Sequence, residues 1–184
     1  MEQLPYNELR IEPLTKRHEL ISFDSSNPEL NDFLKNDALG YQDNMTSRTY
    51  LCFWDKGIVG YLTLVADTLE VEAVDESDKI DGYLYRKYPA IKIAKLAVDR
   101  RLEKRGVGRY ILLAAVGKAI SVSNDIGCRY ITVDSKPEST GFYEKHNFKM
   151  VEKYRRGEFP KMYLNMYPIV ATMRAKESLE EFEG

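Results

Sequence analysis

Two rhythms of hydrophobic and polar positions alternate along this chain. Thr49 to Trp54 and Ile58 to Val65 are rich in β-branched and aromatic residues. Asp55-Lys56-Gly57 separates them, so they predict an antiparallel hairpin with the glycine at positive φ. Leu9 to Pro13 reads as a short strand before it. Between the two, Asn27 caps a helix with Pro28 in its first position, and Leu30, Phe33, Leu34, Ala38 and Tyr41 repeat at helical spacing as its core face. The acidic, irregular stretch from Glu70 to Pro89 predicts one short helix around Ile80 to Tyr88. An apolar strand from Ile91 then runs through DRRLEKRGVGR into the apolar helix YILLAAVGKAI. Arg129 to Val133 is the next strand, Pro137 to His146 a short helix, and Phe148 to Tyr154 with Lys161 to Met166 a hairpin around Arg156-Gly157-Glu158. Ile169 to Phe182 is helical in pattern, and the acidic end ESLEEFEG is expected to fray.

Strands and helices alternating in the middle, with hairpins toward both ends, predict an α/β chain with one mixed sheet and helices on its faces. No repeat and no linker interrupts it, so residues 1–168 are expected to form one domain and residues 169–184 a C-terminal helix and acidic tail. Cys52 and Cys128 are far apart, with no CxxC spacing and no histidine cluster, which predicts neither a disulfide framework nor a metal site. The first residues lack a basic, then apolar, leader, and the longest apolar stretch, Tyr110 to Val116, is too short to span a bilayer. A cytoplasmic protein with no membrane partner is expected.

Charge sharpens the picture around the central strand and helix. The formal net charge is −2, yet residues 1–85 hold 7 Lys and Arg against 17 Asp and Glu, and residues 86–118 hold 10 against 2. The basic block falls on Lys104, Arg105, Gly106, Val107, Gly108 and Arg109, where the strand has ended and the helix begins. Backbone N–H groups at a helix start have no intrahelical partners, the helix dipole adds about half a positive charge, and glycine lets a ligand approach. A phosphate-bearing cofactor is the expected tenant.

LAVDRRLEKRGVGRYILL, STGFYEKHNF and the intervening strand RYITVDS together resemble the GNAT superfamily of acetyl-CoA-dependent N-acetyltransferases. The resemblance implies a single-domain GNAT-like fold with a mixed, mostly antiparallel central sheet flanked by helices on both faces. It implies acetyl-CoA as acyl donor. Backbone groups of Leu96, Ala97 and Val98, at a splay of the central strand, would pair with pantetheine, and Lys104 to Arg109 would hold the pyrophosphate. Lys136 stands where many members carry Asn, so that contact is expected to be replaced by a cationic one from Lys136 to the cofactor, or lost. Glu103 departs from the usual loop and is expected to turn away or pair with Arg100 or Lys104. Asn147 replaces a glycine at a turn and is expected to adopt left-handed angles.

The same resemblance gives Tyr143 the role of acid toward the departing sulfur, a role suited to a phenol of ordinary pKa about 10. No general base stands out. Glu70, Glu72 and Asp134 read as solvated or capping carboxylates, which favours an α-amino acceptor, near pKa 7.7–8.0, over a lysine amine at about 10.4. With neither cysteine placed near the motif, direct attack in a ternary complex is expected, on a small-molecule or protein amine. FDSSNPELNDFLKNDA, SRTYL, LAVD and NDIGCRYITV further resemble the branch that includes acetyltransferase toxins acting on aminoacyl-tRNA. The acidic first 85 residues weigh against tRNA, unless Arg86, Lys87, Lys92, Lys153, Arg155, Arg156 and Lys161 form one face. A noncatalytic CoA-binding module is the remaining alternative. The tyrosines of 83–88 and 163–167 suit a homodimer surface or an acceptor pocket equally.

Overall fold

The computed structural model describes residues 2–183, with side chains through residue 176. The acidic tail expected to fray lies outside the residues whose side chains are described. The strands are β1 (Leu9–Pro13), β2 (Arg48–Trp54), β3 (Gly57–Glu70), β4 (Lys87–Val98), β5 (Tyr130–Asp134), β6 (Lys149–Met150) and β7 (Lys161–Asn165). They form one seven-stranded sheet in the order β1-β2-β3-β4-β5-β7-β6. The pairs β1–β2, β2–β3, β5–β7 and β6–β7 are antiparallel. The helices are α1 (Pro28–Asp32), α2 (Ala38–Asp43), α3 (Val107–Val122), α4 (Thr140–Glu144) and α5 (Tyr167–Glu183). This mixed, mostly antiparallel α/β architecture is the one expected from the sequence.

The chain divides into two compact units, the first made of Met1–Ala66 and Ile93–Gly117, the second of Asp67–Lys92 and Lys118–Gly184. In the first, Leu14, Leu20, Phe23, Leu34, Leu51, Phe53 and Tyr61 form a buried core. Tyr61 fastens the helical segment to β3 by donating its hydroxyl to Leu30 C=O at 2.8 Å while its ring lies edge-on to Phe23. Asn27 accepts from Glu29 N–H and Pro28 opens α1, as expected. The helical face is not uniform, however. Phe33–Asp37 is a π segment between α1 and α2, and its wider turn advances the register by one residue. Leu34 and Ala38 stay buried, while Tyr41, expected in the core, is half exposed.

The second unit is organised around tyrosine rings. Tyr88, Tyr130 and Tyr163 are fully buried. Tyr130 donates to Asp78 C=O at 2.6 Å and Tyr163 to Asp78 Oδ2 at 3.1 Å, and Tyr88 accepts from Ile80 N–H at 3.0 Å. Each hydroxyl satisfies a backbone or carboxylate group that burial would otherwise leave orphaned. Of the tyrosines expected at a dimer surface or acceptor pocket, Tyr88 and Tyr163 are thus packed in the core, while Tyr85 and Tyr167 stay exposed. The helix expected at Ile80 to Tyr88 does not form: short 3₁₀ turns at Val71–Ala73 and Glu76–Asp78 replace it, and β4 already begins at Lys87. In the tight turn before β3 the positive φ belongs to Asp55, at 53°, not to Gly57.

Candidate active site

The end of β4 and the start of α3 are built from one continuous stretch of the first unit. Leu96, Ala97 and Val98 finish β4, with Ala97 buried and its two neighbours half buried. Asp99 follows, its side chain fully enclosed. It accepts from Arg101 N–H at 3.0 Å, from Arg101 Nε and Nη2 at 2.7 Å each, and from Asp24 N–H at 3.3 Å. Arg100 pairs with Asp24 at 2.6 Å. The aspartate thus pins the strand's exit to the 22–26 segment before the chain turns back.

Two left-handed residues make that turn, Lys104 with φ 62° and Gly106 with φ 85°. Gly106 was legible as a turn residue; Lys104 was not. Leu4 N–H donates to Arg105 C=O at 3.0 Å, and Arg105 Nε donates to Glu2 C=O. The first bond closing the helix runs from Tyr110 N–H to Gly106 C=O at 3.1 Å. Ahead of it, the N–H groups of Gly106, Val107, Gly108 and Arg109 donate to no group among the described residues. Four unpaired donors at the positive end of a sixteen-residue helix, beside Lys104, Arg105 and Arg109, fit a pyrophosphate. Glu103 does not pair with Arg100 or Lys104. Its carboxylate accepts from the Ser26 hydroxyl instead, which ties it back into the first unit.

Gly60 sets how deeply α3 sits, a feature sequence reasoning missed. A Cβ there would lie 2.7 Å from Ala97 O, 2.4 Å from Ile111 Cδ1 and 3.6 Å from Val107 Cγ1. Gly60 pairs with Cys52, next to a β-bulge between Cys52 and Phe53. Only a residue without a side chain permits that approach, and nothing short of the three-dimensional contact marks it out from the other glycines.

The remaining site residues named from the sequence belong to the second unit. Tyr143 lies in α4, buried between Phe142 and Phe148 with ring centroids at 5.1 and 5.4 Å. Burial pushes its phenol above the ordinary value, and its hydroxyl has no hydrogen-bond partner among the described residues. Asn147 carries φ 65°, as expected, where the chain leaves α4. Lys136 caps the 3₁₀ turn Pro137–Ser139. Glu70 is held below the usual carboxylate range by its hydrogen bond to Lys153, 2.9 Å away, and Asp134 pairs with Lys92 at 2.7 Å. Neither is a free base. Burial pushes the Cys52 thiol up to about 12 and the Cys128 thiol up to about 11, so neither supplies a thiolate nucleophile near neutrality. No group of three or more metal-ligating side chains occurs among the described residues.

Asp99→Ala is expected to lower stability by about 1–3 kcal/mol, because it orphans the Asp24 and Arg101 N–H groups. Burial pushes the Asp99 carboxyl up, but the hydrogen bonds from Arg101 outweigh it and leave the carboxyl below its ordinary value. Its contribution is therefore fully present above about pH 3.9 and is lost as pH falls through the lowered value. Urea midpoints of the two proteins should differ most near pH 6 and converge in acid. A constant gap down to pH 3 would contradict the assignment.

A mixed sheet whose central strand delivers a cationic, donor-rich helix start is an α/β fold with a strand-to-helix junction suited to a phosphate-bearing ligand. Residues 65–161, more than half of the chain, match the family Acetyltransferase (GNAT) domain, and the chain belongs to that family. Its activity is acyl-CoA N-acetyl transfer, with acetyl-CoA as acyl donor. A tRNA-acetylating toxin of Mycobacterium tuberculosis (strain ATCC 25618 / H37Rv) is 29% identical over 133 residues, covering 72% of this chain and 79% of that protein. Among solved structures, AtaT complexed with acetyl-methionyl-tRNAfMet superposes with a TM-score of 0.81 at 23% identity, covering 90% of this chain and 99% of that one. AtaTR bound with AcCoA gives 0.71 at 22% identity, with 91% and 99% covered. No helix among the described residues is long and apolar enough to cross a membrane.

Proposed function

We propose that this acetyltransferase acetylates the α-amine of an aminoacyl-tRNA. The observation that carries the proposal is the similarity to the tRNA-acetylating toxin over 133 residues, joined by the likeness to a toxin complexed with acetyl-methionyl-tRNAfMet. The choice of amine agrees with the site. Glu70 and Asp134 are both ion-paired, and an α-amine, partly neutral at working pH, needs least help in losing its proton.

The charge argument against tRNA weakens once the chain is folded. The acidic and basic blocks separated along the sequence are interleaved: the first unit holds twelve acidic and twelve basic residues. Asp67 and Glu70, from the acidic block, pair with Lys161 at 3.1 Å and Lys153 at 2.9 Å. Those pairs engage two of the lysines considered for an RNA face, and Lys92 with Asp134 and Arg155 with Glu152 engage two more, leaving Arg86, Lys87 and Arg156 as its more available members. Aminoacyl-tRNA and acetyl-CoA share the cytoplasm, the compartment this reading implies.

Acetyl-CoA brings the acetyl group activated as a thioester. The N–H groups of Gly106, Val107, Gly108 and Arg109, with Lys104 and Arg105, would hold its pyrophosphate, the backbone of Leu96, Ala97 and Val98 its pantetheine arm, and Lys136 would add a cationic contact. Tyr143 Oη holds the proton for the departing sulfur, and its burial keeps that proton in place well above neutral pH. With both thiols protonated, the amine attacks directly in a ternary complex.

Purified protein, labelled acetyl-CoA and a set of charged tRNAs test the reading. Label is expected in charged tRNA, at least about tenfold above deacylated tRNA, and mild alkali should release it as an N-acetyl amino acid. Label confined to protein or free amines would overturn the aminoacyl-tRNA assignment and leave the transferase intact.

A further inference from the structure

A cavity of about 550 Å³ lies wholly within the first unit, between the α1–π–α2 segment, β3 and β4. Phe33, Tyr41, Val65 and Ala94 give it apolar and aromatic walls. Glu29, Asp32 and Asp37 bring three carboxylates to the same lining. Asp32 accepts from Asn36 Nδ2 at 2.6 Å, and none of the three forms an ion pair among the described residues. The single cation of the lining, Lys95, rests its Nζ over the Phe33 ring at 5.4 Å. Ser47 also lines the cavity, and its buried hydroxyl has no hydrogen-bond partner. The π segment supplies both Phe33 and Asp37, and such interruptions of a helix recur at functional sites.

We propose that this cavity seats the aminoacyl moiety of the acceptor and selects a side chain that ends in a cation, a lysyl or arginyl group. The assignment rests on the aminoacyl-tRNA reading above. A long methylene stem matches Phe33, Val65 and Ala94, and an ammonium or guanidinium head matches the carboxylates. The same carboxylates repel an acidic side chain, and they repel RNA phosphates, so only the aminoacyl end enters. Ala94 and Lys95 directly precede Leu96 on β4, so the cavity adjoins the strand segment assigned to the donor.

Acetylation of lysyl-, arginyl-, methionyl- and glutamyl-tRNA, compared as kcat/KM, tests the proposal. Lysyl-tRNA is expected to exceed methionyl-tRNA by about tenfold and glutamyl-tRNA by more, since an unfavourable charge contact adds to the lost favourable one. The double substitution Asp32→Asn with Asp37→Asn, on exposed positions, should collapse the lysyl-to-methionyl ratio toward one. Equal or reversed preference, or an unchanged ratio in the double variant, overturns it. A binding measurement separates this result from the tRNA reading: NMR titration with lysine methyl ester against norleucine methyl ester, two α-amines that differ at the side-chain end. Lysine methyl ester should bind about tenfold tighter, and the double variant should erase the difference; equal binding overturns the cavity's assignment. Preferential binding without acetylation of any aminoacyl-tRNA would sink the tRNA reading and keep the cation-selective cavity. Acetylation of aminoacyl-tRNA that ignores side-chain charge would do the reverse.

Discussion

Tyr143→Phe is expected to lower kcat by about 100-fold or more, with the KM for acetyl-CoA held within about twofold. The substitution removes one oxygen and keeps the ring. That ring packs edge-on against Phe142 and Phe148, and the lost hydroxyl has no partner among the described residues, so no group is orphaned by its removal. The thermal midpoint should consequently stay within about 2 °C, which separates a chemical defect from an unfolded variant. Burial also raises the phenol's pKa, so the wild-type rate should show no alkaline loss from this group below about pH 10, where an ordinary tyrosine begins to ionise. Steady-state kinetics across pH on both proteins measures kcat, KM and the alkaline limb, and thermal melts measure the midpoint. Retention of the wild-type kcat would remove Tyr143 from proton transfer.

Gly60→Ala should cost about 1–3 kcal/mol and weaken acetyl-CoA binding together. Ile111 Cδ1 can swing away from an added methyl, but Ala97 O, at 2.7 Å, is backbone and can move only if β4 moves. β4 carries Leu96 to Val98, and α3 carries the unpaired N–H groups, so the strain is delivered to both parts of the proposed donor site. Urea denaturation and acetyl-CoA titration should shift in the same variant. A destabilised protein that binds acetyl-CoA normally would mean that the seat of α3 is independent of this contact. Gly117, inside the same helix and with nothing within 4 Å of its notional Cβ, is the control, and its change to Ala should leave binding unaltered.

The cationic, donor-rich start of α3 was legible because it is contiguous. Six residues from Lys104 to Arg109 hold the cations, the glycines and the helix start, and backbone chemistry needs no distant partner to put unpaired donors at a helix N-terminus. The cap at Asn27 and the left-handed Asn147 were legible for the same reason, since each is decided by a residue and its immediate neighbours. Periodicity failed where the period itself changed. The π segment rotated Tyr41 out of the face its spacing assigned to it. The helix expected over Ile80 to Tyr88 gave way to β4, whose Tyr88 joins Tyr130 and Tyr163 around Asp78, a pairing of residues up to 85 positions apart.

Charge shows the division most plainly. By itself the sequence determined most strands and helices of a mixed sheet, the cationic start of α3 and the resemblance that the family match bears out. These features depend on neighbours within a few residues, where chain connectivity limits the alternatives. Only the tertiary structure decided that Asp67 meets Lys161, that Glu70 meets Lys153, and that the cavity beside β4 is lined by carboxylates. Charge counted along a chain says nothing of charge in space, because Coulomb interactions depend on distances that folding alone sets.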